Sequence, residues 1–398
     1  MKRSRLLIKG CIYTVFLLLS MTSCHEFEFE GKPTYERTVF VYIAADNNLS
    51  SFCQEDISEM LKGAPDIPKN SRLLVYVDDY NLPRILSIEQ QKGRRPVAKI
   101  VRQYETEHNS GDTETLRTAM EWAIENYPAE SYGLVLWSHG SAWIPAKSPA
   151  QRAICIDSKT GSWMEIKEIA DALEQLPHLE FILFDACFMQ AIEVAYELRK
   201  ATDYIISSPA EIPGPGAPYH RLIPSLFSIP SDAESVIEEY YREYKDNSIH
   251  VQGHEPDCFG VCLSVTDCRQ LEQLATATGE MLNKYMPDSI NLSRVQQYCP
   301  RTNNTRPEYY DMNSYMRQLI ANPEDYNYWK EAFDNAVPHR RATPQWFSDY
   351  SKRLETIIDI ENYGGISCYV PKAERTKLNE AFRSTSWYHA TGWQQTGW

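Results

Sequence analysis

The sequence predicts an α/β fold, with a mainly parallel central sheet and helices on both faces in three layers. Three observations carry this. Short apolar runs such as 134–137 and 181–184 lack in/out alternation, as strands buried on both sides of a parallel sheet do. Helix-length stretches with start and stop signals alternate with them. The two runs end in Ser138-His139-Gly140 and Asp185-Ala186-Cys187. Side chains just past the carboxyl ends of such strands face the crevice where open α/β sheets bind ligands.

The elements follow in order. Residues 24–37 read as a tether. A buried strand is predicted over 38–45, a short helix over 54–62, and a strand over 72–77 that ends in Asp78-Asp79. One or two shorter strands lie within 84–103 around Gln91-Lys92-Gly93. Asp112 caps a helix to Asn126, and Pro128 stops it. Strand 132–137 leads to His139, and 141–155 is a loop with two prolines and two basic residues. Ser162 and Glu165 form a capping box for a helix to 175. Strand 181–184 leads to Cys187, and a helix is expected over 189–200. A strand over 204–208 precedes the rigid turn Pro213-Gly214-Pro215-Gly216. Ser231 and Glu234 cap a helix to 244, followed by a strand over 258–265 and a helix over 267–285. Residues 290–360 read as mostly helical. A last strand over 366–370 precedes an aromatic tail (Trp387, Tyr388, Trp393, Trp398) expected to pack down. The domain proper is 38–398.

Composition narrows the function. Hydrophobic content of 43% with 12% aromatics excludes disorder as the main state. Residues 1–23 read as a secretory signal, with Lys2, Arg3, Arg5 and Lys9 before an apolar stretch over 12–19. That stretch is shorter than the ~20 residues a membrane span needs. Its loss removes four bases and no acids, taking the net charge from −14 to −18. Such a surface disfavours nucleic acid and attracts basic peptides. Ser23-Cys24 resembles a bacterial lipoprotein cleavage box, in which Cys24 carries lipid; ordinary cleavage or an uncleaved anchor is the alternative. The acidic stretch 25–30 is either a solvated tether or a surface-export signal. The remaining cysteines show no disulfide framework and no zinc spacing, and several sit in apolar runs as buried small side chains.

Cys187 and His139 at neighbouring strand ends are the materials of a thiol nucleophile with an imidazole base. A helix opening near Met189 would lower the thiol pKa. No G-x-S-x-G elbow or zincin motif competes. The segments Leu134–Gly140 and Phe184-Asp185-Ala186-Cys187-Phe188-Met189 resemble the clostripain (C11) family of cysteine peptidases, in the caspase-like clan. Residues 41–49, 110–116 and 365–371 resemble further landmarks of that family.

The resemblance implies a caspase-like fold and an exported endopeptidase cutting after Arg or Lys with a Cys187/His139 dyad. It implies that Gly140 helps hold the oxyanion, where a plain tight turn is the alternative. It places Asp185 in the P1 pocket, where a strand-end cap is the alternative, with Glu211 as a candidate pocket wall. Ala217 stands where an aromatic is common, which bears on pocket depth. Self-cleavage at Lys147 or Arg152 is expected, unless the loop is an intact flap. Calcium is possible by resemblance, and no other cofactor is expected. Partners are basic peptide substrates and a membrane reached through the lipid anchor at the cell envelope, not nucleic acid. The runner-up is a catalytically weak relative serving as a surface binding module.

Overall fold

Along the first strand the side chains divide cleanly between two cores. Phe40, Tyr42 and Ala44 enter one, and Val39, Val41 and Ile43 the other. Both faces are covered, as the unbroken apolar run requires. The computed structural model describes residues 34–144, 154–246, 260–285, 287, 290–299, 309–349, 351 and 353–398. Cys24, Lys147 and Arg152 lie outside the described residues.

The chain runs β1 (Tyr35–Ala44), α1 (Ser50–Gly63), β2 (Ser71–Asp78), β3 (Arg84–Glu89), β4 (Val97–Gln103), α2 (Thr113–Asn126) and β5 (Ala129–Trp137). Next come β6 (Ile154–Asp157), β7 (Ser162–Met164), α3 (Ile166–Leu173), β8 (Leu179–Asp185), α4 (Ile192–Leu198), β9 (Thr202–Ser207), α5 (Tyr219–Leu226) and α6 (Ala233–Asp246). The last part holds β10 (Cys262–Asp267), α7 (Leu271–Lys284), β11 (Tyr310–Asp311), α8 (Met312–Leu319), α9 (Pro323–Ala336) and β12 (His339–Ala342). It closes with β13 (Gln345–Ser348), β14 (Arg353–Thr356), β15 (Ser367–Cys368), α10 (Thr376–Phe382) and α11 (Ser386–Ala390).

Among the described residues nine strands form one mixed sheet in the order β12-β10-β9-β8-β5-β1-β2-β3-β4. The strands from β9 to β2 pair in parallel, and the flanks on both sides are antiparallel. Helices α1, α5 and α6 supply Ile57, Met60, Leu222, Ile223, Val236 and Ile237 to one face. Helices α2, α3 and α7 supply Leu116, Met120, Ile169, Leu173, Leu271 and Leu274 to the other. Leu134, Val135 and Leu136 are fully buried, each stabilising the fold by roughly 1.5–3 kcal/mol. The predicted three-layer class is therefore the observed one.

Several local expectations change. Asp112 does cap α2, accepting the Glu114 N–H at 3.0 Å. The Ser162/Glu165 capping box does not form, because Ser162–Met164 pairs with β6, and Glu165 caps no backbone with its side chain. Asp232, rather than Ser231, accepts the Ser235 N–H, while Ser231 bonds Glu180. The helix after Cys187 starts at Ile192, not Met189. Phe188 and Gln190 instead give their N–H groups to Ala210 and Ser208. Among its described residues the 290–360 region holds two α-helices but also β11–β14, and β12 extends the main sheet. The tail packs down as expected, with Trp387, Tyr388 and Trp393 buried. The described cysteines are free thiols, and all but Cys187 are buried. No helix among the described residues is long and apolar enough to cross a membrane.

Candidate active site

The register of the parallel strands sets the site. Trp137 of β5 lies opposite Asp185 of β8, and Ile43 of β1 opposite Trp137. His139 and Cys187 are each two residues beyond that paired rung. They leave neighbouring strands at the same height on the carboxyl edge. The chain reverses its progress across the sheet between β1 and β5, the kind of switch point where α/β sheets open a crevice.

His139 meets Asn48, just past β1, with Nε2 and the Asn48 Oδ1 2.8 Å apart. A carbonyl oxygen only accepts, so Nε2 carries the hydrogen and Nδ1 keeps its lone pair. Burial lowers the imidazole pKa and so favours the neutral ring. The Asn48 loop is itself pinned. Asn47 Nδ2 donates to the Ala44 and Ile156 carbonyls at 2.9 and 3.0 Å, and the Tyr80 hydroxyl donates to the Asn47 carbonyl at 3.0 Å. Asn48 lies within a landmark segment of the sequence, but its contact with His139 has no local signal.

Gly140 is where the two segments touch. A Cβ there would stand 2.8 Å from the Cys187 carbonyl, 2.8 Å from Met189 Sδ and 3.0 Å from the Ala186 Cβ. On its other side Gly140 bridges Ile154, with the Cys155 N–H donating to the His139 carbonyl at 3.2 Å. The Gly140 and Cys187 N–H groups are spent on no partner among the described residues.

Cys187 is partly exposed, and Phe188 after it adopts the left-handed region at φ 64°. Its Sγ faces the Ile212 carbonyl at 4.0 Å. Burial pushes the thiol up to about 12, and the charge of Glu211 adds to the rise. The expected help from a helix dipole is absent because α4 starts too late. Glu211 itself is buried, in the loop after β9 whose carbonyls hold Phe188 and Gln190.

Asp185 is 3% exposed. The Ala217 N–H reaches both carboxylate oxygens at 3.1 Å, and the Tyr219 hydroxyl donates to Oδ2 at 3.0 Å. Gly216, at φ 66°, lets the chain pass over it; a Cβ there would stand 2.9 Å from Oδ2. A second buried acid, Asp56 of α1, accepts the Trp137 indole N–H at 2.7 Å and interacts with Asp185. Burial pushes Asp185 up to about 6 and raises Asp56 as well. Sequence reasoning missed Asp56, which lies on a helix and meets its partner only through the fold.

Among the described residues no three His, Cys, Asp or Glu side chains converge to hold a metal ion.

A three-layer sheet with a histidine and a cysteine at the ends of adjacent central strands defines the caspase-like class of cysteine peptidases. The chain belongs to the clostripain family, whose profile matches residues 41–398. It is 31% identical to clostripain of Hathewaya histolytica over 218 residues, 46% of this chain and 41% of clostripain. The match thus spans less than half the length of that relative. Its structure resembles a secreted C11 cysteine protease from Bacteroides thetaiotaomicron solved with an irreversible peptide inhibitor. The TM-score is 0.80 at 34% identity, over 90% of this chain and 99% of that one. It also resembles an inactive zymogen C11 protease from Parabacteroides distasonis, with a TM-score of 0.77 at 30% identity over 90% and 98%.

Proposed function

We propose that the protein is an exported endopeptidase that cuts after Arg or Lys, with Cys187 as nucleophile and His139 as base. The observation that carries this reading is the shared height of His139 and Cys187 on adjacent strands, with Gly140 packed against the Cys187 carbonyl. The thiol proton passes to His139 Nδ1 as sulfur bonds to the scissile carbonyl carbon. The oxyanion lies between the Gly140 and Cys187 N–H groups. Collapse breaks the C–N bond, and His139 returns the proton to the leaving amine. Water, deprotonated by His139, then hydrolyses the thioester and restores the thiol.

Asp185 and Glu211 are the acids that would hold a cationic P1 side chain. A substrate guanidinium would reach Asp185 over Gly216–Ala217, where backbone and Tyr219 now satisfy it. The same cation would offset the negative field of Glu211 on the thiol. Binding of the preferred substrate would thus lower the Cys187 pKa at the moment of attack. With the thiol pKa held up by burial and by Glu211, substrate binding would favour the thiolate.

Self-processing fits this specificity. The Gly140–Ile154 bridge brings the two ends of the 141–155 loop together, and Lys147, then Arg152, are the candidate sites. A cut there leaves His139 and Cys187 on separate pieces within one sheet. The basic and apolar pattern before Cys24 supports export and lipid anchoring at the envelope, and one structural relative is described as secreted. The protonated resting thiol also favours a second reading, a weakly active surface binding module. A peptide-library profile of wild type beside Cys187→Ala separates the two. Cleavage after Arg and Lys lost in the variant supports the peptidase; acidic or apolar P1 residues, or no Cys187-dependent cleavage, overturn it.

A further inference from the structure

The parallel sheet fixes Trp137 and Asp185, its last paired rung, but not what lies beyond them. Past that rung the His139 and Cys187 segments need another tie to hold their relative position. Tyr309, far away in sequence, touches both. Its ring stacks on Phe188 with centroids 4.7 Å apart and planes 7° apart. Its hydroxyl donates to the Ser141 carbonyl at 3.0 Å. Tyr309 and Phe188 are both buried, so the stack is shielded from water, while the bond to Ser141 is part-buried.

The two residues it grips are telling. Phe188 directly follows Cys187 and holds φ 64°, a conformation that a bulky L-residue keeps only when its surroundings impose it. The Phe188 N–H to Ala210 bond at 2.9 Å and the Tyr309 stack are among the contacts that hold it. Ser141 lies two residues past His139 and is followed by Ala142 at φ 58°, so the chain turns sharply there as well. Tyr309 spans two strained turns, one directly after Cys187 and one within three residues of His139.

We propose that Tyr309 is a positioning residue of the peptidase site: stacked on Phe188 and bonded to Ser141, it holds the His139 segment against the Cys187 segment. This rests on the reading of those two residues as base and nucleophile. Tyr309 takes no part in the proton transfers; it sets the geometry in which they occur. The brace also grips the first residue of the loop proposed to be cut. The packing of Trp143 on Tyr369, with centroids 5.5 Å apart, supports it from the same side. After cleavage these contacts would keep His139 in register although the chain beyond it is severed.

The test compares wild type, Tyr309→Phe and Tyr309→Leu. The readouts are kcat and KM on an arginyl peptide substrate, the pH dependence of Cys187 alkylation by iodoacetamide, and the thermal midpoint. Tyr309→Phe keeps the ring that stacks on Phe188 and removes the hydroxyl that donates to Ser141. Its kcat should fall by about 3- to 10-fold with KM and thermal midpoint unchanged. The alkylation profile should move with it, because the His139–Cys187 geometry is loosened. Tyr309→Leu also loses the stack and should lose more activity than its folded fraction explains. Wild-type kcat and alkylation in Tyr309→Phe, or losses in Tyr309→Leu that track unfolding alone, overturn the proposal. Wild type with neither peptide cleavage nor His139-dependent alkylation would instead overturn the dyad, and this role with it.

Discussion

Adding one methyl group at Gly140 perturbs the account at its narrowest point. The Cβ of Gly140→Ala would stand 2.8 Å from the Cys187 carbonyl oxygen and from Met189 Sδ, and 3.0 Å from the Ala186 Cβ. Comfortable heavy-atom contact lies at about 3.5–4.0 Å. The two segments must therefore part by roughly 0.5–1 Å. Gly140 is not in the left-handed region, so the cost is steric rather than conformational. Overpacking of this kind costs about 1–3 kcal/mol. The larger effect is on rate, since misplacing catalytic groups by 1 Å costs on the order of 100-fold. We expect kcat on an arginyl coumarin peptide to fall by about 10- to 100-fold, with KM little changed. Gly161→Ala is the control. Its Cβ meets nothing within 4 Å but sits at φ +72°, so it should lose stability and keep kcat. Active-site titration with an alkylating agent normalises both. A Gly140→Ala enzyme with wild-type kcat would refute the close approach of the His139 and Cys187 segments.

Other expectations follow from the same site. Cys187→Ala and His139→Ala should each abolish turnover without lowering the thermal midpoint, and the double variant should lose no more than either. Glu211→Gln should lower the Cys187 pKa from about 12, moving the onset of alkylation to lower pH, while weakening turnover of Arg and Lys substrates. Asp185 has a folded pKa raised to about 6, so the fold binds its proton more tightly than the unfolded chain does. Stability should therefore fall as pH rises from about 4 to 6, by about 3 kcal/mol at most, and then level off. Asp56→Asn keeps an acceptor for Trp137, removes the second buried acid beside Asp185, and should shrink that fall in urea titrations at several pH values. On denaturing gels, purified wild type should show two pieces divided within 141–155 and Cys187→Ala one. A single band in active wild type would exclude obligatory self-processing.

The parts of the fold that were legible are those written locally. The β5 and β8 strands are unbroken apolar runs because both faces of each are buried, and their ends gave His139 and Cys187 directly. Asp112 was legible as a cap because it acts two residues away. The start of α4 was not, since Phe188 and Gln190 are drawn from the helix by Ala210 and Ser208 across the crevice. Ser162 carries a sound capping signal, yet pairing with β6 outweighs it. The β12 strand, His339-Arg340-Arg341-Ala342, is charged because it lies at a sheet edge, and so it lacks the apolar signature of a strand. Helix α5 carries Pro224 within it, which hides it from helix propensity. Asn48 and Tyr309 act across 91 and 168 positions of sequence, where no periodicity or cap marks them.

The most direct test of the central claim is covalent labelling. Wild type, Cys187→Ala and His139→Ala are treated with a lysyl or arginyl peptide chloromethyl ketone, and the adduct is mapped by mass spectrometry. Wild type should carry a single adduct on the Cys187 sulfur, Cys187→Ala none, and His139→Ala should label markedly more slowly. An aspartyl chloromethyl ketone should label wild type poorly. Equal labelling of several cysteines, or of Cys187 whether or not His139 is present, would contradict that claim.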